Sequence, residues 1–248
     1  MTDAHAHLDA CDEPPDTLVE HARDAGITRI VTIGTGIESS RAALDVADRH
    51  AGVYAALGIH PHQAAEPEAG RIDELRELLQ HPKAVAVGET GLDTVRRFAT
   101  REQQRRLFEG HLALADELRL PIVIHNREAD DDTAAVLSSF GGRVILHCFS
   151  SPGLVTLAVE RGYFVSFAGN ATYPSAASLR DAAARIPADR ILVETDSPYL
   201  APQPVRGRRN EPANVVHTVG VLAEARGEDS AELAARTHAN AAAAFGLA

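Results

Sequence analysis

TDAHAHLDA (residues 2–10) opens the chain after its first methionine, and the histidine pair inside it decides between two ways of closing an alternating α/β sequence. A doubly wound parallel sheet follows its first strand with a Gly-rich phosphate loop. Here the first strand delivers His5 and His7 instead, while IGTGIESS (33–40) after the second strand lacks the full glycine fingerprint. Side chains at i and i+2 of a strand point to the same face, so both imidazoles address one object if the stretch is extended.

Working outward, short apolar runs recur: TDAHAHL (2–8), RIVTIG (29–34), VYAALGIHP (53–61), AVAVGE (84–89), PIVIH (121–125), RVILHCF (143–149), YFVSFAG (163–169) and ILVETD (191–196). Between them lie segments with helical spacing, such as PDTLVEHARDAG (15–26), where Leu18, Ala22 and Ala25 share a face and Gly26 supplies the stop. Others are SSRAALDVADRHAG, RIDELRELLQH, TREQQRRLFEGHLALADELRL, SPGLVTLAVERG, SAASLRDAAARI and the Ala-rich C-terminal segments. Strand followed by helix, repeated in this way, implies parallel pairing through right-handed crossovers. An eight-stranded (β/α)8 TIM barrel is the economical closure, as a single domain over residues 1–248.

Composition narrows the function classes. With 45% hydrophobic residues the chain can bury a large core. Its two cysteines, Cys11 and Cys148, make no disulfide framework, and no apolar run suits a signal peptide or a membrane span. A cytoplasmic monomer or weak oligomer is therefore expected. At a formal charge of −11 the whole-molecule field repels nucleic acid, so any such binding must be local, at metal or at a small basic patch.

Barrel chemistry sits at the C-terminal ends of the strands. In order, those ends present His5 and His7, His60 and His62, Glu89, His125, His147 and Asp196. One buried histidine is more often a core residue than a ligand, and one carboxylate after a strand is often a helix cap. Packing has no reason to gather so many on one rim, and metal ligation does. The first and eighth strands are neighbours in a closed barrel, so His5, His7 and Asp196 are expected around one ion; His125 and His147, on adjacent strands, share a second. Glu89 is placed to bridge the two with its two oxygens, as in two-metal hydrolases. A carbamylated lysine bridge is excluded, because the sole lysine, Lys83, precedes the fourth strand. The imidazole-rich set suits Zn²⁺ or Mn²⁺, and open positions leave room for Mg²⁺.

The strings DAHAHLD, GIHPH, VGETGLD, LPIVIHNREA, HCFSS and ETDSPYLAP followed by RGRRNEPANV resemble, in order and along nearly the whole chain, the TatD family of metal-dependent deoxyribonucleases. The resemblance implies a barrel hydrolase that cleaves phosphodiester bonds in DNA, often 3′→5′ on single strands, with ligands at His5, His7, Glu89, His125, His147 and Asp196. Glu89 and Asp196 then act in catalysis, Asp196 also as a base toward the attacking water. His60 is expected to contact a phosphate oxygen or protonate the leaving group.

Candidates for substrate contact are His60, His62, Arg127 and the cluster Arg206, Arg208 and Arg209, since guanidinium matches phosphate in bidentate fashion; the bland alternative for the arginines is surface ion pairing. Glu194 is expected to support a ligand, and Cys148 to point into the core. Two departures from the family pattern fall in loops over the centre: TVRRF (94–98) where aromatics are usual after GLD, and Ser151 where glycine is usual. With aromatics at 4%, base-stacking platforms are scarce. Another ester or amide hydrolase on the same metals, such as a D-aminoacyl-tRNA deacylase, is the competing enzyme; a non-catalytic binding barrel is the competing class.

Overall fold

The computed structural model describes residues 1–247, and every expected apolar run forms a strand. These are β1 (Thr2–Ala6), β2 (Arg29–Gly34), β3 (Val53–Leu57), β4 (Ala84–Asp93), β5 (Ile122–Arg127), β6 (Val144–Leu146), β7 (Phe164–Phe167) and β8 (Ile191–Val193). Adjacent strands pair in parallel in chain order. The intervening helices are α1 (Pro15–Asp24), α2 (Ile37–Arg49), α3 (Ile72–Leu78), α4 (Arg101–Leu118), α5 (Asp130–Leu137), α6 (Val155–Arg161), α7 (Ala177–Arg185), α8 (Val215–Arg226) and α9 (Ser230–Phe245). This is the (β/α)8 barrel. Among the described residues no helix is long and apolar enough to cross a membrane.

Strand alternation builds two cores. Ile30 of β2 and Val165 of β7 belong to the layer between sheet and helices, whereas Val31, Ile33, Ile145, Phe164 and Leu192 fill the barrel interior. Ala241, Ala244 and Phe245 of α9 complete that interior cluster, so the last helix plugs the floor. At the same end Lys83 Nζ donates to the carbonyls of His50, Ala51 and Val53 at 3.0–3.1 Å. The lysine therefore serves the floor and not the rim.

Between β8 and β1 lies the seam of the barrel. One backbone bridge, Ala6 with Ser197, joins them, with the His7 N–H on the Ser197 carbonyl at 2.7 Å and the Asp196 N–H on the His5 carbonyl at 2.9 Å. Buried Asp3 adds a side-chain tie, accepting from the Thr195 N–H at 2.9 Å and the Thr195 hydroxyl at 2.5 Å.

Element ends depart from the sequence expectation in ways that shape the rim. β3, β6 and β8 stop short, leaving His60, His147 and Asp196 on loops and His62 in the 3-10 turn Pro61–Gln63, and His7 follows the last residue of β1. β4 instead continues past Glu89 to Asp93. Its glycines permit this: Gly88 (φ 128°) and Gly91 (φ 143°) lie against β5, where an added Cβ would come within 2.5 Å of the Val123 carbonyl oxygen and 2.0 Å of that of His125. Helix α5 went unread in the sequence; it is short and buries only Thr133, Val136 and Leu137, and its first turn is three aspartates that favour the positive end of the helix dipole.

Candidate metal centre

At the C-terminal mouth a cleft of about 890 Å³ is lined by residues from most of the strand ends, with Glu89 at its base. Glu89 is almost fully buried, and its two oxygens face different partners. Oε2 lies 3.4 Å from His5 Nε2 and 3.7 Å from His7 Nε2. Oε1 lies 2.7 Å from His125 Nδ1, 2.8 Å from His147 Nε2 and 3.3 Å from His60 Nε2. Asp196 Oδ1 completes the first side, 3.4 Å from His7 Nε2 and 3.7 Å from His5 Nε2. His5 and His7 thus meet as the i, i+2 pattern requires, although His7 reaches the place from just beyond the strand.

Two of these atoms test whether metal fits. Glu89 Oε2 and His147 Nε2 are buried with no hydrogen-bond partner among the described residues; the 2.8 Å approach of His147 Nε2 to Glu89 lacks hydrogen-bond alignment. Orphaned buried polar atoms are costly unless an ion takes their electron pairs. Donors about 2.1 Å from one tetrahedral ion stand about 3.4 Å from each other, which is the spacing found around His5, His7, Asp196 and Glu89 Oε2. Ligand atoms also converge within 4.8 Å in three groups: His5, His7 and Asp196; His5, Glu89 and His147; and His60, His62 and His125. The residues fit divalent metal.

Electrostatics follow from this crowding. Burial pushes the Glu89 carboxyl up, but the imidazoles of His147, His60 and His125 outweigh it and hold the group well below the usual range. His147 shows the reciprocal effect: burial opposes its charge, and Glu89 and Glu194 raise it well above an ordinary histidine. His60 goes the other way, drawn down to about 4 by burial. Its Nδ1 accepts from the His62 N–H at 3.1 Å, which leaves the ring proton on Nε2. His60 is therefore a neutral donor facing the carboxylate.

Around this set stands a ring of supports. Glu194 Oε1 accepts from His147 Nδ1 at 3.2 Å and from the Cys148 N–H at 2.8 Å, as expected of a carboxylate that fixes a ligand's tautomer. Asp93, two alternations beyond Glu89 on β4, accepts from His62 Nε2 at 2.7 Å and lies 3.5 Å from His125 Nε2. Continuing the strand parity from Glu89 through Gly91 would have found it. Gln104 of α4 clamps the Asp93 backbone at both its N–H and its carbonyl. His111, also of α4 and fully buried, donates from Nδ1 to the Leu107 carbonyl and accepts the Ile59 N–H at Nε2, 3.0 Å away. It thereby fixes the backbone that presents His60.

The remaining residues separate by place. Arg127 lines the cleft. Arg206, Arg208 and Arg209 do not: Arg209 makes a bidentate pair with Asp12, Arg206 lies over the Tyr173 ring at 4.3 Å, and Arg208 is exposed outside the cleft. Cys148 is a correction, since it lines the cleft and is not core; β6 has ended, and φ of 43° at Cys148 breaks the alternation. Ser151, the departure from glycine, accepts from Asn126 Nδ2 at 2.7 Å; Asp130 takes the other amide proton and Thr133 donates to Asn126 Oδ1. The wall beside His125 is thus locked. Arg96 and Phe98, in the TVRRF loop expected over the centre, line the cleft; sequence reasoning missed Tyr199 and Asn170, also on it, because loop residues carry no periodicity.

Against known proteins, the sequence profile of the TatD-related DNase family matches residues 2–246. An uncharacterized metal-dependent hydrolase TatD of Mycobacterium tuberculosis is 42% identical over 100% of this chain and 98% of its own. The 3′-5′ ssDNA/RNA exonuclease TatD of Escherichia coli is 35% identical over 94% of this chain and 93% of its own. Among solved structures, the TatD homologue YjjV of Escherichia coli superposes with a TM-score of 0.94 at 30% identity, covering 100% of this chain and 98% of that one.

Proposed function

Because the chain belongs to the TatD-related DNase family of metal-dependent hydrolases, we propose that it cleaves phosphodiester bonds in single-stranded nucleic acid, DNA in the first place, removing nucleotides from the 3′ end. One observation carries this reading: the two oxygens of buried Glu89 divide the imidazoles into two sets. His5, His7 and Asp196 with Oε2 would hold one divalent ion, and His125 and His147 with Oε1 a second; residues 1–248 act as one catalytic domain. Relatives named as exonucleases on single-stranded DNA and RNA support the substrate class.

Hydrolysis adds water across the P–O bond, hydroxyl to phosphorus and proton to the departing sugar oxygen. Bound divalent ions supply Lewis-acid polarisation of a phosphoryl oxygen and a lowered water pKa. Asp196 is the base: burial raises its carboxyl, and His7 and His5 outweigh this and keep it ionised. His60 donates from Nε2 to a non-bridging phosphate oxygen. Its neutrality near pH 7 argues against the alternative role of leaving-group acid. Arg127, on the cleft wall, offers a fork of donors to the phosphates of the bound strand.

The test is a time course on 5′-labelled single-stranded DNA with Mg²⁺, Mn²⁺ or Zn²⁺, wild type beside Glu89→Gln, with RNA, bis-p-nitrophenyl phosphate and a carboxyl ester in parallel. A metal-dependent ladder shortening from the 3′ end, absent in the variant, supports the reading. Turnover of the ester with none of any phosphodiester overturns it.

A further inference from the structure

Four large apolar side chains stand exposed among the described residues, and two of them are aromatic: Phe98 at 61% and Tyr199 at 53%. Both line the same cleft, and Val95, a third of the four, is three residues from Phe98. They come from loops after β4 and β8, which are four strands apart in the ring of eight and so face each other across the mouth. Each touches one histidine of the centre: the Phe98 ring is 5.0 Å from that of His62, and the Tyr199 ring 5.8 Å from that of His7. Beyond that single ring contact each aromatic stays more than half exposed, and a flat apolar face near a phosphate site suits a nucleobase.

The two banks differ in charge. On the Phe98 side, exposed Arg96 and Arg127 line the cleft. Tyr199 has Asp9, Ala10 and Leu200 beside it on the lining, without an arginine or lysine. Of the three arginines that next follow Tyr199, none lines the cleft: Arg206 lies over Tyr173, Arg208 is exposed outside, and Arg209, whose charge reaches Tyr199, is neutralised by Asp12. A strand carrying one phosphate per nucleotide leaves over the basic bank, and only an end without further phosphates is accommodated beside Asp9.

We propose that the cleft holds two nucleobase subsites flanking the scissile phosphate. Tyr199 stacks the terminal base, Phe98 stacks the penultimate base, and Arg96 and Arg127 carry the phosphates of the remaining chain. This rests on the nuclease reading and adds a polarity to it. The scarcity of aromatics in the chain is compatible with such a site, since both that are exposed are spent here.

Binding of 5′-fluorescein 12-mers with phosphorothioate linkages, followed by anisotropy with Mg²⁺ present, tests it. Three strands are compared: intact, abasic at the 3′-terminal position, and abasic at the penultimate position. Phe98→Ala is expected to weaken the intact strand about tenfold and the penultimate-abasic strand less than about twofold. Tyr199→Ala shows the same pattern with the terminal-abasic strand, because a residue and the base that it stacks are not additive. Arg96→Gln and Arg127→Gln weaken a 12-mer more than a dinucleotide. Equal losses on all three strands, or the two pairings exchanged, overturn the proposal. An unmodified 12-mer separates the two levels. Paired losses without cleavage leave the subsites standing and remove the nuclease; cleavage without paired losses does the reverse; a wild type that neither binds nor cleaves removes both.

Discussion

Replacing His111 by glutamine isolates one buried titration from all the others in the barrel. Burial draws His111 down to about 4, against an ordinary value near 6.5 in the unfolded chain. The folded state therefore resists a proton that the unfolded chain accepts. Stability from this group is complete above pH 6.5 and is lost as pH falls toward 4. At pH 4.5 the linkage amounts to about 2.5 kcal/mol, or about 5–10 °C of melting temperature for a chain of this size. Glutamine can still accept the Ile59 N–H through its carbonyl and does not titrate. The assay is thermal unfolding of wild type and His111→Gln from pH 7 to 4.5 in chelator, so that metal release does not enter, taking the difference between the curves at each pH. The difference is expected to grow in favour of the variant as pH falls. Parallel curves would refute the reasoning, because every other histidine is common to both proteins. His111→Phe is a useful contrast: it also removes the titration but strands the buried Ile59 N–H, so its curve lies about 1–3 kcal/mol below that of His111→Gln at all pH values alike.

Other outcomes follow from the same geometry. Divalent metal at about a hundred times its dissociation constant is expected to stabilise the fold by about 2.7 kcal/mol, a shift that chelator reverses and Asp196→Asn diminishes in the same melting assay. Metal uptake is expected to release protons and weaken as pH falls, because Glu89 and Glu194 make His147 hold a proton more tightly than an ordinary histidine and a ligating nitrogen must be free of it; a pH-indicator dye in weak buffer reads the release. Ser151→Gly removes one of the two acceptors on the Asn126 amide, lowering stability by about 0.5–1.5 kcal/mol and loosening the wall by His125, seen as a change in KM on oligonucleotides. Arg209→Ala is expected to leave that KM within about twofold, since its partner is Asp12 and a surface pair of this kind contributes little.

The barrel was legible because its strands are apolar runs separated by helices of regular spacing, and eight such units allow few closures. Ligand-type residues were legible for a related reason: they recur at equivalent places in the repeat, so position substitutes for periodicity. Legibility failed where the backbone leaves its regular path. Cys148 was assigned by alternation, and alternation ends two residues earlier, at Leu146. Asp93 was overlooked because a strand containing two glycines reads as ending early, yet those glycines are what let β4 run close to β5. The arginine run 206–209 looks like a phosphate site by composition, and only three dimensions reveal that Arg209 faces Asp12 across the surface. Phe98 falls in the TVRRF loop expected over the centre, whereas Tyr199 is a single aromatic in an irregular loop, and nothing local marks it as lining the same cleft.

The barrel closes where its site is made. The Asp3 to Thr195 tie, the Ala6 to Ser197 bridge and the meeting of His5 and His7 with Asp196 all lie on one seam. The two sides of this seam lie 192 positions apart in the chain. Until residues 195–197 are in place, His5 and His7 have neither the carboxylate nor the closing segment that they meet in the complete fold. A competent metal centre is thus withheld from any product that lacks residues 195–197, by nothing more than the distance in sequence between the two sides of the clasp.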